Sequence, residues 1–551
     1  MFTLSPLAET IYKQKYSQDG KEEWGDTARR VVENVVTPYF PDLTEELTEA
    51  IAGGKFLPGG RYLYAAGRPF AQVNNCLLLK TGDSTEEWAD LMRRITQGLM
   101  RGAGIGVVYS SLRSRGTGTK GMGGISTGPT ALMQMVNEAG RHIVQGGSRR
   151  AAIWAGLHWN HPDVFEFITL KDWPEEVKAL KEKDFNYPAT MDMTNISVIL
   201  DDDFFEAIAD PTWSKSYPNG DSGESYSVDH YHAQAVYWRV IEKMLTTGEP
   251  GFSVDVRENA GEHLRNACTE LTSADDNDIC NLGSINLAQV EDKDEFARLV
   301  YLSTAFLLCG TLYSEVPYAE VKATRTKNRR LGLGLMGVYE WLALRGKPYA
   351  PDEELAGWLE EYARSTEYAA LFADVLGVSH PVKTRAMAPN GTIGIIGGTT
   401  TSIEPMFAPA IKRRYLKDGK VWAYQYVIDP IAERLAAKGL DPDALESAYE
   451  LANNPERRVF FQTWFQQYVD HGISSTINLP SVDKQAFTQD QFGEMLLEYL
   501  PFLRGITVYP DGARGGQPLT AVTYEEAVGL DGVEYEEFSN ESACISGVCG
   551  I

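Results

Sequence analysis

Cysteine is scarce, with six in 551 residues. A secreted disulfide framework needs a denser set, so these six read as structural, metal-binding or redox-active residues of a reducing compartment. Basic residues are also in deficit: 51 Lys and Arg face 76 Asp and Glu, leaving a formal net charge of −25. That balance argues against a nucleic-acid surface, because phosphate backbones are held by Lys and Arg. Anionic small molecules can still be held where basic residues gather locally. Long hydrophobic runs are missing too. The longest, residues 331–344, contains Glu340 and falls short of the roughly 18 residues of a membrane span, so no membrane association is predicted. The N-terminus lacks a basic segment followed by an apolar core, which predicts a cytoplasmic protein. No C-x2-C pair, no G-x4-G-K-[ST] loop, no internal repeat and no low-complexity tract occur. The eight histidines include the pair His158 and His161 and the pair His230 and His232. Neither pair has partners at zinc-site spacing, so no metal site is predicted.

What is present is an apolar fraction of 43%, enough to fill a sizeable core. Residues 1–56 read as helical, with "DTARRVVENVV" placing apolar residues at helical spacing. From there to about residue 520, short apolar runs such as "NNCLLL", "GIGVVYS", "NISVIL" and "GITVY" alternate with longer helical patterns. That alternation predicts α/β architecture. Residues 211–228 and 271–279 read as polar surface loops. The motif "GLGLMG" at 332–337 matches G-x-G-x-x-G but follows the basic "TRTKNRR" where a nucleotide fold would have an apolar strand. It is therefore read as a helix with glycines for close packing. Residues 521–551 turn acidic and end in "ACISGVCGI", which reads as a mobile tail.

The cysteines divide by surroundings. Cys544 and Cys549 sit at the chain end, where a core role is implausible and thiol–disulfide exchange needs only access. Cys309, in "AFLLCG", reads as core. Cys76, Cys268 and Cys280 each lie beside an asparagine, Asn75, Asn266 and Asn281, and polar groups next to a buried thiol need partners or a substrate. In "NACTEL" the glutamate Glu270 follows two residues after Cys268, which brings a thiol, an amide and a base together. Closely spaced Gly and Thr in "APNGTIGIIGGTTTSIEP", residues 388–405, expose N–H groups and hydroxyls of the kind that cradle phosphate. Thiol redox chemistry on a phosphorylated substrate is the combined reading.

These blocks, with "GGISTGPTALMQMVNEAG", "QGGSRRAA", "HPDVFEFI", "CNLGSINL", "RRLGLGLMG", "TINLP" and "GITVYPDGARG", run in the order found in ribonucleotide reductase. The chain resembles the large catalytic subunit of that family from about residue 55 to its end, and is most similar to the adenosylcobalamin-dependent class. The resemblance implies an α/β fold, a ten-stranded α/β barrel of two five-stranded halves spanning residues 57–520, with a central finger loop carrying the catalytic cysteine. It implies that Cys268 becomes a thiyl radical that removes the ribose 3′ hydrogen, that Glu270 takes the 3′-hydroxyl proton and that Asn266 holds the sugar. Cys76 and Cys280 match the reducing pair, and Cys544 and Cys549 the redox tail that is served by thioredoxin or glutaredoxin. Asn390, Gly391, Thr392 and Ile393 match the substrate phosphate loop.

The implied product is a 2′-deoxyribonucleotide for DNA synthesis, made from a ribonucleoside di- or triphosphate. A deoxynucleotide effector is implied at Asp83, Ser84, Arg113 and Lys120, with Gln145, Gly146, Gly147, Ser148 and Arg149 as the specificity loop. Family members commonly bind the effector at a homodimer surface, while "LPGGRYLY" is similar to smaller monomeric members. The N-terminal region is too short for the family's additional ATP-binding domain, which predicts no overall activity switch. At the strand where small-subunit-dependent members carry two adjacent tyrosines, this chain has Thr507 and Val508 with a lone Tyr509. The implied cofactor is therefore adenosylcobalamin. The alternative is no cofactor in this chain and a radical from a separate di-iron or manganese small subunit. Lower-ranked readings are a glycyl-radical enzyme, from "GVCGI", and a non-catalytic nucleotide-binding regulator.

Overall fold

The computed structural model describes residues 2–119, 123–145, 149–184, 186–417, 421–513 and 519–536. Ten strands form its main sheet: β1 (Phe56–Pro58), β2 (Cys76–Lys80), β3 (Gly104–Val108), β4 (Ile153–His158), β5 (Thr194–Asp201), β6 (Gly251–Asp255), β7 (Asp278–Asn286), β8 (Leu331–Met336), β9 (Thr476–Leu479) and β10 (Gly505–Pro510). Strands β2 to β6 run parallel in sequence order. Strand β7 joins β2 antiparallel and β10 joins β6 antiparallel. On the other side β7 is parallel to β8, and β9 to β10. Parallel bridges then link Leu333 to Arg385 and Met387 to Ile473. The alternation of apolar runs with helices thus produces the α/β fold. Strands such as β3, "GIGVV", are buried throughout because helices cover one face and inserted chain the other.

Residues 1–56 are helical, as their periodicity predicts. In the helix Trp24–Val35 the buried positions Trp24, Thr27, Ala28, Val31, Val32 and Val35 form one stripe, and Glu23 with Asp26 makes a capping box at its start. Each buried valine contributes about 1.5–3 kcal/mol. The stripe packs into the same core as the helix Lys293–Tyr313. That helix is long and apolar enough to cross a membrane, but 72% of its most apolar window is buried inside the protein. It includes Cys309, fully buried in the core as its sequence context predicts.

Four local expectations need correction. Residues 331–336 form strand β8, not a helix. The glycines do serve close packing: a Cβ at Gly332 would lie 2.3 Å from Leu282, and one at Gly334 would lie 2.8 Å from the Ala386 carbonyl oxygen. Residues 211–228 contain a hairpin, Ser214–Pro218 paired with Ser225–Asp229, whose period-two alternation of serine with Tyr217, Tyr226 and Val228 is the strand signal. Within 271–279, Leu271, Thr272, Ser273 and Asp278 are buried, because this stretch leads into β7 through the protein's interior. Regular structure also continues past residue 520. Leu519–Val522 and Glu534–Glu536 flank the hairpin Ala410–Lys417/Val421–Ile428 in a four-stranded sheet. Residues 537–551, with Cys544 and Cys549, lie outside the described residues.

Candidate active site

Leu264–Arg265 pairs antiparallel with Thr272–Ser273, so residues 266–271 form the tip of a short hairpin. The hairpin crosses β3 at two glycines. A Cβ at Gly106 would lie 1.8 Å from the Arg265 carbonyl oxygen, and one at Gly104 would lie 3.4 Å from the Ala267 Cβ. Arg265 is buried completely and donates to the Val254 carbonyl at 2.7 Å, which ties the hairpin to the end of β6. Asn266 closes the tip by accepting the Leu271 N–H at 3.0 Å. Thr269, between the two candidate catalytic side chains, has φ of 66°. For a β-branched residue that conformation stores about 1–3 kcal/mol of strain, which the surrounding packing must hold.

The tip brings its polar groups to one point. The Asn266 side-chain amide donates to Cys76 Sγ at 3.0 Å, and Cys76 Sγ lies 3.9 Å from Glu270 Oε1. Glu270 is 1% exposed, and its second carboxylate oxygen has no hydrogen-bond partner. Burial pushes its carboxyl up to about 7. Burial also raises the thiols of Cys268, Cys76 and Cys280, with the Glu270 charge adding to the effect at each, so all three are held as S–H at neutral pH. Cys76 and Cys280 are directly opposite each other across β2 and β7, close enough in register for a disulfide to form.

A cavity of about 220 Å³ opens over this cluster. Cys76, Asn266, Cys268 and Glu270 line one side, and Asn390, Gly391, Thr392 and Ile393 line the other. Asn390 has φ of 51°, caps the short helix Gly391–Gly397 and donates to Ser284 Oγ on β7 at 2.8 Å. The first-turn amides of that helix have no carbonyl partner within it, which leaves them for an anion. Gln145 also reaches the cavity, held by the Gly102 carbonyl at 3.0 Å and the Ala152 N–H at 3.1 Å. Arg149 lies in a two-residue strand paired with Val144–Gln145. Gly146, Gly147 and Ser148 lie outside the described residues, as does Lys120.

Asp83, Ser84 and Arg113 lie away from this cavity. Ser84 caps the helix Thr85–Met100, and Asp83 pairs with Arg113 at 2.7 Å. Two residues that line the cavity, Arg150 and Tyr16, and one behind the hairpin, His471, carry no local signal in the sequence. Arg150 was hidden beside Arg149 in a run of two. Tyr16 arrives from the end of the first helix, and no local pattern announces that approach. His471 is buried behind the hairpin, where its ring accepts the Thr272 N–H at 3.2 Å while Gly472 N–H donates to the Glu270 carbonyl at 2.7 Å. Around it Arg330 bridges Asp278 and Glu262, and Lys383 also pairs with Glu262. A fixed network of charge therefore braces the hairpin's arms.

Cys268 and Glu270 on an interior hairpin, with Cys76 within reach of Glu270 and Cys280 opposite Cys76, place three thiols and a protonatable carboxyl together inside an α/β fold. The ribonucleotide reductase barrel domain matches residues 74–375 and 381–499, and the chain belongs to the ribonucleotide reductase family. A vitamin B12-dependent ribonucleoside-diphosphate reductase of Thermoplasma acidophilum is 27% identical, over 87% of this chain and 66% of the relative. One of the same name from Mycobacterium tuberculosis is 26% identical, over 94% of this chain and 81% of the relative. A Mycobacterium phage D29 protein, provisionally named an adenosylcobalamin-dependent ribonucleoside-triphosphate reductase, is 26% identical over 99% of each chain.

Proposed function

We propose that the chain reduces ribonucleotides to 2′-deoxyribonucleotides at the Cys268 cavity by a thiyl-radical mechanism. The observation that carries the proposal is the convergence of Cys76, Cys268, Asn266 and Glu270 on one cavity walled by Asn390–Ile393. The reading includes a barrel of two five-stranded halves. Strands β2 to β6 make one half. Strands β7 and β8, residues 385–387, the 473–479 segment with β9, and β10 make the other, and the parallel bridges at Arg385 and Ile473 support it. The hairpin at 264–273 is then the central finger.

In this mechanism the Cys268 sulfur, as a thiyl radical, takes the 3′ hydrogen atom of the ribose while Glu270 takes the 3′-hydroxyl proton. The 2′ hydroxyl leaves as water. Cys76 and Cys280 supply two electrons and two protons and close to a disulfide, and Cys268 returns its hydrogen atom to the 3′ carbon. Cys76 sits where Asn266 and Glu270 can both reach its sulfur, and S–H is the form that can deliver a proton. The Asn390–Ile393 amides hold the substrate phosphates. Cys544 and Cys549 reopen the disulfide and are reduced in turn by thioredoxin or glutaredoxin. Asp83 and Arg113 take a deoxynucleotide effector, with Gln145 carrying the response to the substrate.

The family relatives named for vitamin B12 favour adenosylcobalamin as the cofactor. The chain's residues fit such a group. A second cavity of about 400 Å³ meets the first at Pro389 and is lined by the neutral donors Thr399, Thr400, Ser474, Thr476 and Asn478, together with Asp429 and with Glu404, which is paired with Arg458. The Thr400 hydroxyl there is buried without a partner, and neutral donors suit an amide-fringed macrocycle. When bound, the cofactor supplies the radical at Cys268. Thr507 and Val508 on β10 carry no redox-active side chain, which speaks against radical entry along that strand.

The test is deoxynucleotide formation by the purified chain with adenosylcobalamin and a dithiol. Cys268→Ala should abolish product while leaving nucleotide affinity nearly intact, because the phosphate bed and the thiol act on different parts of the substrate. Steady turnover by Cys268→Ala would sink the assignment. Activity only with an iron- or manganese-loaded small subunit would overturn the cofactor reading and leave the reductase reading standing.

A further inference from the structure

The hairpin Ser214–Pro218/Ser225–Asp229 sets one buried polar side chain at the start of its loop. Its arms are largely exposed, and Asp221, Gly223 and Glu224 of its loop are exposed as well, but the first loop residue is buried. Asn219, at the tip, is 7% exposed. Its side-chain oxygen accepts the Ser114 N–H at 2.8 Å, and its amide donates to Thr117 Oγ1 at 2.9 Å and to Ser114 Oγ at 3.2 Å. Gly220, with φ of 53°, comes so close that a Cβ there would lie 2.5 Å from Asp83 Oδ2 and 2.6 Å from the Arg113 nitrogen. The next residue, Asp221, donates its N–H to Asp83 Oδ2 at 2.9 Å.

Arg113 supplies the remaining donors to this carboxylate, Nε to Oδ2 at 2.7 Å and N–H to Oδ1 at 3.1 Å. The Asp83 side chain is 5% exposed. The acceptor best suited to a ribose hydroxyl is therefore filled by a peptide N–H of the same chain, and the guanidinium suited to a phosphate is turned onto that carboxylate. Val228 lies in the core and Tyr217 and Tyr226 pack against it, which anchors the arms, while Asn219 and the Asp221 N–H reach past that anchor onto the loop and ion pair of Asp83 and Arg113.

We propose that the hairpin tip, residues 219–221, is a built-in competitor for the deoxynucleotide-effector site, and that Asn219 thereby determines how strongly substrate choice responds to an effector. The proposal rests on the effector reading given under Proposed function. A route from tip to substrate is present in the chain. Gly116 and Thr117 pair with Ser126 by backbone bonds of 2.9 and 2.8 Å. The helix Pro129–His142 follows directly and ends at Val144–Gln145, where Gln145 lines the substrate cavity. With the tip seated, the 110–119 loop is held in one arrangement without a nucleotide. With the tip displaced, Asp83 and Arg113 become available to one.

The experiment is equilibrium dialysis of radiolabelled dTTP against the full chain, with hydrogen exchange at the Asp221 amide. A tip seated in about nine molecules of ten lowers apparent affinity about tenfold. Asn219→Ala, and the isosteric Asn219→Asp in case the first fails to fold, should therefore bind dTTP about tenfold more tightly than the native chain. Ser216→Ala on an exposed arm should match the native chain. Saturating dTTP should remove protection from the Asp221 amide. Equal dTTP affinity in the native chain and both Asn219 variants, or unchanged Asp221 protection at saturation, would overturn the inference alone. No dTTP uptake by any form would remove the effector reading and this inference with it. Failure of the reductase reading is distinguishable, because it appears as absence of deoxynucleotide product in every form whether or not dTTP binds.

Discussion

In the proposed mechanism, Glu270 is a buried residue that serves chemistry at the expense of stability. Its carboxyl is raised to about 7, chiefly by burial, against about 4.3 for an unperturbed glutamate. The folded state therefore holds a proton that the unfolded state releases between those two values. Stability is highest below the unfolded value, falls as pH rises towards 7, and stays reduced above it. The size of that loss is on the order of 3 kcal/mol. Glu270→Gln should consequently unfold at the same denaturant midpoint as the native chain near pH 4 and at a higher one at pH 8, while losing nearly all turnover. Native turnover should fall as pH drops below 7, as the carboxylate needed to take a proton is lost. A Glu270→Gln chain no more stable than native at pH 8 would contradict the burial account. At this scale the site was legible where its residues are close in sequence: Asn266, Cys268 and Glu270 lie within five positions and share one hairpin tip. Tyr16 and Arg150 reach the same cavity from distant elements, and their contact depends on packing that no local pattern encodes.

Among the elements, the strands announced themselves by apolar runs, and those in "NNCLLL", "GIGVVYS", "NISVIL" and "GITVY" are β2, β3, β5 and β10. Among the main-sheet strands, β8 is the one whose sequence reads as a helix, because a glycine-rich apolar segment carries no period-two alternation when both faces are buried. The same physics makes β3 the most constrained strand of the site. Gly106 has backbone, not a flexible side chain, 1.8 Å from where a Cβ would be. Gly106→Ala should thus displace the hairpin bodily and not merely crowd it. Because the hairpin carries both Cys268 and Glu270, turnover should drop by at least about a hundredfold, the scale expected when reacting groups move by about 1 Å. Deoxynucleotide formation and the far-ultraviolet circular dichroism spectrum together check this. Near-native turnover in a folded Gly106→Ala chain would mean the hairpin does not depend on β3 for its position.

For the molecule as a whole, the decisive question is how the chain's end meets its interior. The composition change near residue 520 reads as the start of a tail, yet Leu519–Val522 and Glu534–Glu536 are strands of the sheet built on Ala410–Ile428. Acidic residues in the edge strand Glu534–Glu536 gave a polar signature that sequence alone assigns to a solvated segment, although the backbone pairs with Ala423–Gln425. If Cys544 and Cys549 act as the proposed redox tail, the last anchored residue before them sets how far they can reach. From Glu536 to Cys544 there are eight residues, a maximum reach of roughly 27 Å at about 3.4 Å per residue. Counted from residue 520 the same cysteine would have 24 residues of slack and about three times that reach. Deleting residues 537–542 separates the two cases. If the tether starts at Glu536, the deletion leaves Cys544 two residues from the anchor, with roughly 7 Å of reach. Thioredoxin-driven turnover should then fall to the level of a chain ending at residue 542, while one round of product from the pre-reduced enzyme is retained. Small dithiols should restore cycling to both, since they reach the Cys76–Cys280 disulfide without the tail. If the tether effectively starts near residue 520, removing six residues from 24 changes the effective concentration of the tail thiols only modestly, and thioredoxin-driven turnover should survive. Survival would therefore show that the outer strand Glu534–Glu536 detaches during the cycle, and loss would show that the four-stranded sheet is the fixed post from which the redox tail works.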